Sequence, residues 1–61
     1  MLKDEINSII KNEAEYFGWS YEEAVNSLKN LGLSVEDIQD NELFDEPKIR
    51  NSVAMAYHAF G

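Results

Sequence analysis

The stretch Phe17-Gly18-Trp19-Ser20-Tyr21-Glu22-Glu23-Ala24 holds the end of one helix and the start of the next within eight residues. Gly18 can take the left-handed conformation that closes a helix from its carboxyl end, a conformation that costs any residue with a Cβ. Ser20, followed three residues later by Glu23, is a capping box. The serine hydroxyl accepts from the third backbone amide of the new helix, and the glutamate reaches back to the serine amide. Trp19, just before the cap, can staple onto Ala24.

Reading back from Gly18, Leu2, Ile6, Ile9, Ile10, Ala14 and Phe17 recur at steps of three and four. That is the stripe of an amphipathic helix. Reading forward, Ala24, Val25, Leu28 and Leu31 share one face of a second helix. Gly32 closes it, and Leu33 can fold back onto Leu28. Ser34 then opens a third helix with Asp37 at the capping-box position and a Leu33–Ile38 staple. This helix is short, because its apolar face of Val35 and Ile38 dissolves into Asp40-Asn41-Glu42. Leu43 and Phe44 read as a loop pair folded onto the core. Asp45 or Glu46 caps a fourth helix with Pro47 in its first turn. Ile49, Val53, Ala56, Tyr57 and Phe60 form its stripe. No strand-like alternation, internal repeat or linker interrupts the series. The expected fold is therefore all-α: a compact bundle of three main helices plus one short helix, as a single domain over residues 1–61. Its expected core is Ile6, Ile10, Phe17, Val25, Leu28, Leu31, Ile38, Ile49, Val53, Tyr57 and Phe60.

From Phe17 onward the pattern resembles the ubiquitin-associated (UBA) domain family. The residues that carry the resemblance are Phe17-Gly18-Trp19-Ser20, then Ala24, Leu28, Val35-Glu36 and Ile38. It spans roughly residues 6–43. The resemblance implies a three-helix core and a recognition surface made by the Phe17-Gly18-Trp19 loop and the end of the third helix, near Leu43.

Composition bounds the chemistry. Twelve Asp and Glu face five Lys and Arg, a net charge of −7 on 61 residues. Such a chain is repelled by nucleic acid and anionic membrane, and drawn to basic protein surfaces. Lys3, Lys11 and Lys29 are scattered, so no basic stripe exists for nucleic-acid binding. There is no cysteine, hence no disulfide and no thiolate metal site. A domain this small without a staple is at home in a reducing cytoplasm. No apolar run is long enough to span a membrane. The start, Met1-Leu2-Lys3-Asp4-Glu5, is not a signal peptide and reads as the opening of a complete small reading frame. The abundance of Asn, Ile, Lys, Tyr and Phe is the bias of an AT-rich genome, bacterial or phage.

Enzymatic chemistry has little to work with. His58 is the sole imidazole and belongs to the last turn of a helix, where the dipole favours its cation. With no Cys and so small a body, neither a Cys–His pair nor a Ser–His–acid triad has a cleft to sit in. No catalytic residue or cofactor is expected. The acids Asp37, Asp40, Glu42, Asp45 and Glu46 are hard oxygen donors, but their spacing is not that of an EF-hand and no glycine lies between Gly32 and Gly61. No metal is expected either.

Two surfaces remain as candidates. Six of the twelve acids, Glu36, Asp37, Asp40, Glu42, Asp45 and Glu46, fall within eleven residues with no basic residue among them. Part of this acidity is structural, since eight of the twelve acids lie at predicted helix starts, where carboxylates complement the dipole. Lys48 and Arg50 can pair with Asp45 and Glu46. The second surface is aromatic: Tyr16, Trp19 and Tyr21 bracket Gly18, and Leu43 joins them if the UBA-like arrangement holds. The expected function is that of a non-enzymatic interaction protein whose acidic lobe meets a basic surface on a partner protein. One concrete form is a small phage-type inhibitor that occupies a nucleic-acid-binding groove as a charge mimic. The first alternative is UBA-like recognition. The second is a self-associating structural protein, a homodimer joined through Leu2, Tyr16, Tyr21, Met55 and Ala59.

Overall fold

The corners of the fold are made where the two glycines stand. The computed structural model describes all 61 residues. Gly18 and Gly32 adopt φ of 76° and 81°, the only positive values in the chain. Each lets the backbone double back onto its helix. The Trp19 N–H donates to the Ala14 carbonyl at 2.8 Å, and the Gly18 N–H to the Glu15 carbonyl at 3.0 Å. One corner later, the Leu33 N–H donates to Leu28 at 2.9 Å and the Gly32 N–H to Lys29 at 2.8 Å. Both are Schellman endings, which satisfy carbonyls that a helix end otherwise leaves to water.

Four helices result: α1 Lys3–Tyr16, α2 Tyr21–Asn30, α3 Val35–Asp40 and α4 Glu46–Phe60. Both capping boxes form. Ser20 Oγ accepts from the Glu23 N–H at 3.1 Å, and Glu23 Oε1 accepts from the Ser20 N–H at 3.0 Å. Ser34 and Asp37 repeat the exchange, with both bonds at 3.1 Å. Caps of this kind contribute about 1 kcal/mol each. Asp45 caps α4 by accepting from the Lys48 N–H at 3.1 Å, with Pro47 in the first turn. Leu2, at the N-cap of α1, supplies no side-chain cap.

Helix α1 packs against all three others, and α4 also lies along α2. The body measures 27 × 20 × 18 Å. Its core comprises Ile6, Ile10 and Ala14 of α1, Ala24 and Leu28 of α2, Val35 and Ile38 of α3, and Ile49, Val53 and Ala56 of α4. No polar or charged residue is buried.

The core differs from the expected one at its margins. Leu31 is 41% exposed and Phe60 51% exposed. Leu31 is the residue just past α2, and Phe60 is the last residue of α4. Each continues the stripe of its helix, but past the point where neighbouring helices cover it. Phe17, Val25 and Tyr57 are half-buried rather than buried. Leu43 is 73% exposed, against the expectation that it folds inward with Phe44. The turn after α3 explains this. Asn41 accepts the Leu43 N–H on its side-chain oxygen at 2.9 Å and the Phe44 N–H on its carbonyl at 3.0 Å. The turn packs Phe44 against the core and leaves Glu42 and Leu43 in solvent.

Candidate functional site

Helix α3, the Asn41–Phe44 turn and the first residues of α4 carry the acidic lobe. All six of its acids, Glu36, Asp37, Asp40, Glu42, Asp45 and Glu46, are exposed. They divide by occupation. The Asp37 and Asp45 carboxylates accept backbone amides as helix caps. Glu46 forms an ion pair with Arg50 one turn along α4. Lys48 departs from the expected pattern: its backbone N–H meets Asp45, but its side chain makes no ion pair. A lysine three residues past a cap offers its amide to the cap oxygen while its long side chain stays free in water.

The other three acids, Glu36, Asp40 and Glu42, have no hydrogen-bond or ion-pair partner within the chain. Asp40 closes α3, where a carboxylate opposes the helix dipole. Glu42 lies in the turn. Neither makes a contact that the fold depends on.

The aromatic residues expected as the second surface make several distinct contacts. Tyr16 is 81% exposed and meets Phe17 edge-on, with ring centroids 5.2 Å apart. Phe17 stacks on Tyr57 of α4 at 4.6 Å with 17° between the rings, and Trp19 meets Tyr57 edge-on at 5.2 Å. Tyr16, Phe17, Tyr57 and Trp19 are thus one connected ring cluster, with Tyr57 at its centre. Sequence reasoning placed Tyr57 only in the core stripe and had no signal for its role here. The Tyr21 hydroxyl donates to Asn7 Oδ1 at 2.7 Å, tying α2 to α1. Burial pushes the Tyr21 phenol above its ordinary range, and the Glu36 carboxylate raises it further. Leu43 stands in the acid-rich turn.

His58 is exposed, with its ring 6.1 Å from Tyr57. The surface has no pocket, and no three acidic or imidazole side chains converge on a point where a metal ion would sit. No helix is long and apolar enough to cross a membrane. Comparison with protein-family models, with curated proteins and with solved structures finds no match for this chain.

Proposed function

We propose that the chain is a non-enzymatic interaction protein, an inhibitor or adaptor that docks its acidic lobe on a basic surface of a partner protein. One observation carries this reading: Asp40 and Glu42 are exposed and have no use within the fold, and Glu36, which only complements the α3 dipole, is exposed and unpartnered beside them. The caps and the Glu46–Arg50 pair hold the backbone beneath these charges in place. A partner would therefore have side-chain rotamers to order there, but little backbone. A nucleic-acid-binding groove is a fitting target, because it is built to accept closely spaced negative charge. With a longest dimension of 27 Å, the body covers less than one turn of duplex, about 34 Å.

The test is a competition experiment on a panel of purified basic DNA-binding proteins. At least one should bind the chain and release it when duplex DNA is added. Its affinity should fall at least about tenfold between 0.01 and 0.15 M salt, chiefly through slower association, as the screening length shrinks from about 30 to 8 Å. The double variant Asp40→Asn/Glu42→Gln should bind more weakly still. Its melting should match the parent, because neither residue caps a helix. Affinity that is flat across salt and indifferent to this variant would leave the acidity as a solubility device.

A second reading, recognition through the Phe17-Gly18-Trp19 loop, rests on the resemblance to UBA domains and is favoured by the half-exposure of Trp19. If the loop binds as that resemblance implies, adding ubiquitin should shift Trp19 fluorescence. Unchanged emission at saturating ubiquitin would return Trp19 to a purely structural role.

A further inference from the structure

The carboxyl end of α1 combines features that neither the fold nor the acidic lobe uses. Tyr16 is the last residue of α1 and, at 81%, the most exposed of the large hydrophobic side chains. Its ring is not loose, because it rests edge-on against Phe17, which is stacked in turn on Tyr57. The last turn of α1 itself carries carboxylates and no cation, although the start of α2 follows within a few residues. A helix ends there, so the pole of its dipole is negative, and no basic residue occupies the last turn. Glu13, one turn before Tyr16, and Glu15, beside it, add two carboxylates with no hydrogen-bond or ion-pair partner in the chain. Both oppose the dipole and work against the helix that carries them. Lys11, one turn before Glu15, forms no ion pair with it. The His58 ring lies 6.1 Å from that of Tyr57.

We infer that this end of α1 is a docking surface for an arginine side chain of a partner protein. Charge complementarity selects a cation, and the fixed ring selects which one. A guanidinium is flat and weakly hydrated. It can lie over the Tyr16 ring while its edge donates to a carboxylate, whereas an ammonium gives up more hydration for a poorer fit. A second copy of the chain is a worse occupant. It would bring two bodies of charge −7 together, and its one arginine, Arg50, is already paired with Glu46. A purely apolar partner would leave Glu13 and Glu15 uncompensated.

The experiment uses the full chain, labelled with nitrogen-15, and two nine-residue probes at 0.15 M salt, one alternating Arg with Gly and the other Lys with Gly. The arginine probe should perturb backbone amides around residues 13–19 and bind several-fold more tightly than the lysine probe. Tyr16→Ser leaves the net charge unchanged, and the exposure of Tyr16 makes it compatible with folding. It should lower arginine-probe affinity roughly threefold to fivefold and erase the preference over lysine. Glu13→Gln should weaken the arginine probe as well, independently of any change to the ring. Asp40→Asn/Glu42→Gln should lower both probes alike and leave their ratio intact, which separates this surface from the acidic lobe. Three results would overturn the inference: a Tyr16→Ser chain that keeps the parent's arginine preference, amide shifts confined to α3 and the start of α4, or shifts around Tyr16 that appear on concentrating the chain alone, which would assign the surface to a second copy.

Discussion

Replacing Leu28 by alanine should cost about 2–5 kcal/mol, while the same change at Leu31, three residues on, should cost well under about 1 kcal/mol. Both leucines continue one stripe of α2 in the sequence. Leu28 is 1% exposed, at the centre of a core that draws on all four helices. Leu31 has already emerged into solvent beyond the end of its helix. Truncating Leu28 removes three buried carbons and leaves a void that rigid neighbours cannot fill. A domain this small has a total stability at the lower end of the usual range, about 3–5 kcal/mol. The Leu28→Ala chain should therefore be largely unfolded at room temperature by circular dichroism, while Leu31→Ala melts close to the parent. A Leu28→Ala chain that melts like the parent would mean that the four helices do not share this core.

The contrast between these two leucines marks how far the sequence can be read. Helix boundaries were legible because they are set by bonds that span five residues or fewer. Gly18 and Gly32, the Ser20–Glu23 and Ser34–Asp37 boxes and the Asp45 cap form as the sequence implies. Depth within the bundle was less legible. A stripe indicates the direction in which a helix faces its neighbours, but not where along its length they stop. Leu31 and Phe60 were therefore placed inside and lie at the margin. The acidic lobe was legible as a location, since its residues are contiguous. Which carboxylates are occupied was not. Lys48 and Arg50 looked equivalent from sequence, yet only Arg50 reaches an acid, because Glu46 lies one full turn away on the same face of α4. The ring cluster was hidden for the opposite reason. Phe17 and Tyr57 are forty residues apart in the chain, and no local pattern reports that the ends of α1 and α4 coincide.

The same argument predicts the second large effect, at Ala56. Sequence reasoning put its core in the bulky residues, but Ala14, Ala24 and Ala56 are each 0% exposed. A residue with one methyl group disappears from solvent only where another helix comes very close. Ala56 lies on α4 on the same face as Ile49 and Val53, and α4 packs on both α1 and α2. Ala56→Leu adds three carbons where the interior is already filled at the density of an organic solid. They can be accommodated only by pushing α4 off its neighbours or by forcing a side chain out of its rotamer. The expected cost is about 1–3 kcal/mol, a large share of what a domain this size has to lose. Ala59→Leu is the matched control, since Ala59 is on the same helix but exposed. It adds the same three carbons and should change stability by no more than about 0.5 kcal/mol. Chemical denaturation of the two variants measures the difference directly. If Ala56→Leu proves as stable as Ala59→Leu, the close approach of α4 to α1 and α2 is wrong. The ring contact that brings Tyr57 onto Phe17, and the surface built on it at Tyr16, would then have to be redrawn as well.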